Sequence, residues 1–314
     1  MAGLLSRPPA TSAPPPRGGW AARFDLRAAP YLLVSPYFLL FAVFGLFPLG
    51  FTLWVSLHRW RLAGDKEFVG VANYSFLLGD DGFWNAVVNT LAMFVLATVP
   101  QLLLALMLAN ALNKRMRGRL FWRLGVLLPM VTSVVAVAVV FSQLYSHRYG
   151  MVNWVLDFAG LSPVDWQASS LPSWAAISTM ADWRWTGYNA IIYLAAMQTI
   201  PRDLYEAAAV DGASPRRQFW QITVPQLKPV LVFTVFISTI GGLMLFAEPM
   251  MFGSGRLDGG AGGQFQTIGL FIVQMFRERN NFGMAAAAAW LLFLLIVVVA
   301  LVNYVVVNRL RGSR

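Results

Sequence analysis

The sequence predicts an all-α polytopic membrane protein with six transmembrane helices. Apolar residues make up 58% and charged residues 12% of the 314 positions. Soluble domains contain roughly half apolar and a quarter charged residues, so the balance favours a bilayer. Six apolar runs reach the roughly 20 residues needed to cross the hydrocarbon layer. They occupy residues 31–57, 84–112, 121–144, 171–199, 228–252 and 283–307.

The basic residues lie between these runs and predict the orientation of the chain. The net charge is +10. Lys and Arg are concentrated in the N-terminal tail, in the second and fourth loops and at the C-terminus, whereas acidic residues dilute the other loops. Because cytoplasmic loops carry the excess of Lys and Arg, both termini are predicted to be cytoplasmic. The lipid bilayer therefore accounts for the basic charge, and no nucleic-acid partner is expected.

Three regions follow from this pattern. Residues 1–28 are rich in Pro, Ala and Arg and lack an apolar signal-peptide core, so a disordered cytoplasmic tail is predicted there. Residues 29–311 form the transmembrane domain. Residues 312–314 form a cytoplasmic C-terminus.

Several kinds of chemistry have no support in the sequence. There is no cysteine, and the two histidines, His58 and His147, fall in separate outer loops. No lysine follows a glycine in the way that a phosphate-binding loop requires. No catalytic residue, metal site or cofactor is therefore predicted, and an enzyme embedded in the membrane lacks a plausible constellation.

The fourth loop, residues 202–229, has strong helix signals and is called here the elbow segment. Asp203 is predicted to be an N-cap with Glu206 at capping-box spacing. Gly212 is predicted to end this first helix in a left-handed conformation. Ser214, followed by proline, is predicted to begin a second helix.

The elbow segment resembles the EAA loop of ABC-importer permeases of the carbohydrate-uptake branch. The resemblance rests on Glu206-Ala207-Ala208, Asp211-Gly212-Ala213, Ile222 and Pro225, and similar motifs extend it over residues 30–311, including Asn73-Tyr74, Asn89-Thr90 and Phe282-Gly283. It implies that the first helix is a coupling helix that enters a cleft of a separate ATPase. The implied docking residues are Tyr205, Glu206, Ala207, Ala208, Asp211, Gly212 and Ala213.

The same resemblance implies the wider function. The chain is expected to be the permease subunit of a binding-protein-dependent importer in the bacterial plasma membrane. Its implied partners are a second homologous permease, two cytoplasmic ABC ATPase subunits, an extracytoplasmic sugar-binding protein and the sugar itself. The alternative is a secondary sugar transporter coupled to an ion gradient, with Asp182 and Glu248 as cation or proton sites.

Polar residues in the fourth apolar run are candidates for substrate contact. Helical spacing groups Arg184, Trp185, Tyr188 and Asn189 on one face. Aromatic rings suit the C–H face of a sugar, and amides suit its hydroxyls. The resemblance places Tyr188 at a position that lines the sugar site. The alternative is an interfacial aromatic belt, which also uses Trp and Tyr.

Two residues near the end of the fifth run complete the candidate site. The resemblance places Phe246 at a lining position, where an aromatic ring could stack on a sugar. Glu248 could pair with Arg184, contact the delivering protein or lie in solvent. The aromatic lining resembles that of permeases for cellobiose-type β-glucosides, so an oligosaccharide such as cellobiose is the expected substrate.

Overall fold

The computed structural model describes residues 20–62, 66–114 and 116–312, which are mainly helical. The helices are α1 (Trp20–Phe41), α2 (Phe47–Ser56), α3 (Ala72–Leu78), α4 (Asp81–Asn113), α5 (Arg119–Val131), α6 (Val134–Leu144), α7 (Met151–Phe158), α8 (Ser170–Met197), α9 (Arg202–Val210), α10 (Pro215–Gln218), α11 (Val224–Gln226), α12 (Lys228–Leu243), α13 (Ala247–Phe252), α14 (Ile268–Arg277) and α15 (Phe282–Gly312). Two π-helical turns, Ala42–Leu46 and Phe219–Thr223, continue α1 and α10. Strands β1 (His58–Arg59) and β2 (Glu67–Phe68) pair antiparallel.

The predicted terminal regions fall largely outside the described residues. Residues 1–19 of the predicted tail and residues 313–314 of the predicted C-terminus are not described. Helix α1 begins at Trp20, earlier than the predicted boundary at residue 29.

Long apolar helices confirm the polytopic α-helical class. Among the described residues, the helical stretches Ala29–Ser56, Asp81–Asn113 and Phe282–Val306 are each long and apolar enough to cross a membrane. Helix α8 is 28 residues long and covers most of the fourth predicted run. Its polar stretch from Asp182 to Asn189 lowers its apolar character. The number six stays a prediction for the count of spans.

The third predicted run is bent, and the fifth begins at a bend and is interrupted further along. Helices α5 and α6 meet at 92°, and the helix ending at Gln226 meets α12 at 69°. At the first bend, Pro129 lacks an N–H group and Thr132 is extended, so the helical ladder stops there. Within the fifth run, α12 ends at Leu243 and the chain resumes as the short helix α13.

Helix α14 was not predicted. Ile268, Phe271 and Met275 lie in one buried cluster with residues of α4 and α15. The Thr267 hydroxyl caps this helix by accepting from the backbone N–H of Leu270 at 3.3 Å. The helix is ten residues long, too short to span a bilayer, so a search for long apolar runs passes over it.

Helices α4 and α8 form the centre of the packed region. Ala105 and Ala109 of α4 lie in a buried cluster with Ala190 and Tyr193 of α8. Small residues let membrane helices approach closely. At Gly187, a methyl group would lie 1.8 Å from the Val126 carbonyl oxygen of α5, so α5 and α8 are in backbone contact there.

Several residues of the family-like motifs join distant segments. The Asn73 side chain donates to the carbonyls of Ser56 and His58 at 2.8 and 3.0 Å. The Asn89 side chain donates to the carbonyl of Gly263 at 2.7 Å, and the Thr90 hydroxyl accepts from the Ile268 N–H at 2.9 Å. These motif residues hold connecting loops to the helices.

Candidate functional site

A cavity of about 340 Å³ lies between helices α4, α8, α12 and α13. Its wall contains apolar residues, two glycines and a set of neutral polar side chains. The residues that line it are Ala97, Thr98, Gln101, Ala181, Trp185, Tyr188, Asn189, Ile237, Ser238, Gly241, Gly242, Met244, Leu245, Phe246, Ala247 and Glu248.

Helix α8 presents three of the predicted residues to this cavity. Trp185, Tyr188 and Asn189 line it, as their helical spacing predicted. The Trp185 and Tyr188 rings are 6.2 Å apart and nearly perpendicular at 81°. The Asn189 amide lies 3.5 Å from the Ser238 hydroxyl of α12, a long contact that leaves much of its hydrogen-bonding capacity for another partner.

The fourth predicted residue of α8, Arg184, does not line the cavity but bonds to a residue that does. Its Nη1 donates to Glu248 Oε1 at 2.8 Å. The two side chains are 14% and 7% exposed, so the ion pair is largely buried. The sequence left open whether Glu248 pairs with Arg184, and the structure gives this pairing. Arg184 Nε is buried and has no hydrogen-bond partner in the described structure.

The break between α12 and α13 brings Phe246 and Glu248 to the wall. Gly241 and Gly242 lie near the end of α12 and carry no side chain. Gly242 therefore approaches Phe94 and Thr98 of α4 closely. Phe246 leaves the helical conformation at φ −136° and starts α13. The two predicted residues therefore reach the cavity from an irregular segment rather than from a continuous helix.

Thr98, Gln101 and Ser238 also line the cavity and were missed by the sequence analysis. Each is a polar residue inside an otherwise apolar run. Polar groups at membrane depth usually face a cavity or a partner, and this signal was available in the sequence. The charged and aromatic run of α8 gives a stronger signal than these smaller, isolated groups.

A second cavity, of about 410 Å³, lies on the opposite side of α8. It is lined by Leu104, Leu108, Val126, Pro129, Thr179, Asp182, Trp183, Thr186 and Gly187. Asp182 Oδ1 and the Thr186 hydroxyl are buried without hydrogen-bond partners in the described structure. At 100° per residue, Asp182 and Arg184 point in different directions, and no bond joins them.

The elbow segment forms a helix, a left-handed glycine and a second helix, as predicted. Gly212 has φ +77°, and the N–H of Ala213 reaches back to the Ala208 carbonyl at 2.8 Å. Ser214 caps α10 by accepting from the Arg217 N–H at 3.4 Å. The predicted capping box is wrong, because Pro201 occupies the N-cap and Asp203 lies inside the first turn of α9.

Two contacts fix the angle between the helices of the elbow segment. The Tyr205 hydroxyl is 2.9 Å from the Thr223 hydroxyl, and the Gln218 amide donates to the Ala213 carbonyl at 3.1 Å. Phe219 packs against the buried cluster of α4 and α8. Of the predicted docking residues, Glu206, Ala207, Asp211 and Gly212 are exposed, and Tyr205, Ala208 and Ala213 are half-buried.

Comparison with known protein families accounts for most of this chain. Residues 82–312 match the family described as binding-protein-dependent transport system inner membrane component. The chain belongs to this family. It is therefore a multi-pass inner-membrane component of a transport system, and its cavity and elbow segment both lie within the matched region.

Individual permease relatives of this family cover nearly the same length. The chain is 38% identical to the lactose transport system permease LacF of Rhizobium radiobacter, over 83% of this chain and 88% of that protein. It is 34% identical to the arabinooligosaccharides transport system permease AraP of Halalkalibacterium halodurans, over 83% and 82%. It is 33% identical to the trehalose/maltose transport system permease MalF of Thermococcus litoralis, over 90% and 94%.

A solved structure agrees with the fold of this permease. A chain of a bacterial ABC transporter involved in the import of the acidic polysaccharide alginate superposes with a TM-score of 0.74. The alignment covers 94% of this chain and 99% of that chain at 22% identity. The same fold has been seen in that alginate transporter in complex with an alginate pentasaccharide-bound periplasmic protein.

Proposed function

We propose that this permease carries a sugar through the bacterial plasma membrane as one subunit of an ABC importer. The cavity is the observation that carries the proposal. It combines the rings of Trp185, Tyr188 and Phe246 with neutral hydrogen-bonding groups, which is the chemistry that a sugar needs. The relatives that belong to lactose, arabinooligosaccharide and trehalose/maltose transport systems support the same substrate class.

Within this proposal, the predicted residues have separate roles at the site. Trp185 and Phe246 stack on the sugar ring, and Tyr188, Asn189 and Glu248 bind its hydroxyls. Arg184 acts through Glu248, which it holds in place by their ion pair. An oligosaccharide such as cellobiose is the specific substrate we propose, because the aromatic lining resembles that of permeases for cellobiose-type β-glucosides.

The elbow segment is the proposed docking site for the ATPase. Its exposed residues Glu206, Ala207, Asp211 and Gly212 form a short surface on a rigid pair of helices. Small side chains permit close approach of another protein, and Gly212 sets a fixed angle. Closure of two ATPase subunits on ATP would push this surface and tilt the helices of the cavity wall.

The remaining parts of the assembly follow from the same mechanism. A second homologous permease completes the pathway, and an external sugar-binding protein delivers the sugar. The excess of Lys and Arg supports a cytoplasmic position for the elbow segment and for both termini. The ATPase and the binding protein then work on opposite sides of the membrane.

The proposal is tested by uptake into proteoliposomes that contain the assembled importer. Uptake of labelled cellobiose, lactose, maltose and arabinotriose is measured with the binding protein outside and ATP inside. We expect uptake that requires both the ATP and the ATPase subunits. Uptake by the permease without the ATPase, collapsed by an uncoupler, would instead support a secondary transporter driven by an ion gradient.

A further inference from the structure

We infer that the Arg184–Glu248 pair makes this permease specific for uncharged sugars and excludes acidic ones. This inference rests on the proposed function, since it specifies the substrate class of the same cavity. Among the described residues that line the cavity, Glu248 is the only one charged at neutral pH. Its charge and the position of its counterion therefore decide what electrostatic environment a substrate meets.

The counterion of Glu248 lies behind the wall rather than in it. Arg184 donates to Glu248 at 2.8 Å and is not itself a lining residue. The pair is largely buried, so its two charges balance each other with little help from solvent. A molecule in the cavity meets the carboxylate directly, and no positively charged side chain stands among the described residues of the lining.

An anionic sugar in this cavity would lose solvation without gaining a charged partner. A carboxylate removed from water is stabilised only when it is paired and well hydrogen-bonded. The available groups, including Thr98, Gln101, Asn189 and Ser238, are neutral. These neutral groups can hydrogen-bond to an anion, but they cannot balance its charge. Glu248 adds repulsion between like charges.

A neutral sugar meets none of these costs. Its hydroxyl groups both donate and accept, so they can bind the Glu248 carboxylate as well as the amides and hydroxyls of the wall. A hydroxyl that donates to a carboxylate forms one of the stronger hydrogen bonds in proteins. Glu248 is thus a specificity-determining residue, and Arg184 is a positioning residue that keeps its charge balanced.

The first experiment compares neutral sugars with their own acids. The assembled importer is placed in nanodiscs without the binding protein, so that selection by the binding protein does not contribute. Equilibrium binding is measured for cellobiose, lactose and maltose, for the C6 uronate of each, and for trimannuronate and trigalacturonate. We expect each uronate to bind at least about tenfold more weakly than its parent sugar, since contacts between like charges in an interface are unfavourable.

Every outcome of this experiment is informative. Equal binding of a sugar and its uronate, or binding of acidic sugars alone, overturns the inference while the proposed function stands. If no sugar, neutral or acidic, binds in nanodiscs or is taken up in proteoliposomes, the proposed function fails and takes the inference with it.

The second experiment changes the charge of the pair. Glu248→Gln removes the carboxylate and leaves Arg184 as an unbalanced cation next to the cavity. We expect the ratio of uronate to parent-sugar binding to rise at least about tenfold, because repulsion is replaced by attraction. In the double variant Arg184→Gln/Glu248→Gln both charges are absent, so the ratio should rise less than in Glu248→Gln alone.

A matched control uses an exposed ion pair of the same type. Arg256 and Asp258 bond to each other outside the cavity, and their side chains are 66% and 37% exposed. The double variant Arg256→Gln/Asp258→Asn should leave the binding ratio within about twofold of the starting value, since exposed pairs have small effects. Because a ratio is measured, partial loss of folded protein does not change it. If the ratio of uronate to parent-sugar binding is unchanged in Glu248→Gln, the Arg184–Glu248 pair does not determine the specificity.

Discussion

The elbow segment and the cavity wall are organised in opposite ways. In the elbow segment, residues near one another in sequence bond to each other, as Ala213 does with Ala208 and Arg217 with Ser214. In the cavity wall, residues from position 97 to position 248 meet on four helices. The first surface is exposed, whereas the ion pair of the second is largely buried.

In the proposed mechanism, this difference meets two mechanical needs. A surface that receives a push from another protein has to keep its own shape, and short-range hydrogen bonds provide that locally. A cavity that opens to alternate sides has to change the distances between its helices. Its parts are therefore joined by contacts between helices, such as the Arg184–Glu248 pair, that rigid-body tilting can rearrange.

Three substitutions test this comparison, and their expected effects decrease from Gly187→Ala through Glu206→Lys to Gly212→Ala. Gly187→Ala should have the largest effect on stability. Its new methyl group would meet the Val126 carbonyl at 1.8 Å, so α5 and α8 would have to separate. Overpacking of this kind costs about 3 kcal/mol. We expect a strong fall in the thermal unfolding midpoint and in the yield of assembled complex.

The matched control for Gly187→Ala is Gly125→Ala, on helix α5. A methyl group at Gly125 has no other atom within 4 Å. The thermal unfolding midpoint of this variant should be close to that of the starting protein. If both variants unfold at the same temperature, the close approach of α5 and α8 does not stabilise the packed region around α8.

Glu206→Lys should remove coupling but leave the fold intact. Glu206 is exposed, and no bond to the rest of the described chain depends on its charge. Reversal of its charge at a protein interface costs several kcal/mol. We therefore expect sugar-stimulated ATP hydrolysis to fall at least about tenfold in the assembled importer, with an unchanged unfolding midpoint.

Glu278→Lys provides the control for this charge reversal. Glu278 is also exposed but follows α14, far along the chain from the elbow segment. Reversal of the Glu278 charge should leave sugar-stimulated ATP hydrolysis within about twofold of the starting protein, as is usual for surface substitutions. Equal losses in the two variants, or full activity of Glu206→Lys, would contradict a docking role for the elbow segment.

Gly212→Ala should have the smallest effect. No atom lies within 4 Å of the added methyl group, so the only penalty is the left-handed conformation at φ +77°. That conformation costs an ordinary residue about 1 kcal/mol. Hydrogen exchange should become faster in α9 and α10 and stay unchanged in α4 and α8. Faster exchange in α8 as well would mean that the two regions are not independent.

The sequence was most informative where neighbouring residues decide the structure. Gly212 and Ser214 were identified correctly because a left-handed turn and an N-cap depend on a few adjacent residues. The exception was the cap of α9, where Pro201 is extended at φ −57° and ψ 135° and displaces Asp203 into the helix. The start of α9 depends on where and how α8 ends. The capping residues of α9 carry no information about that.

The sequence by itself determined the helical membrane class, the family resemblance, the elbow segment and the shared face of Trp185, Tyr188 and Asn189, since composition and helical periodicity act along one chain. Only the tertiary structure decided which helices face α8, that α5 and α6 bend by 92°, and that Thr98, Gln101 and Ser238 complete the wall. It also decided that Arg184 lies behind Glu248. These features depend on packing between helices, and no single run of residues specifies what will lie opposite it.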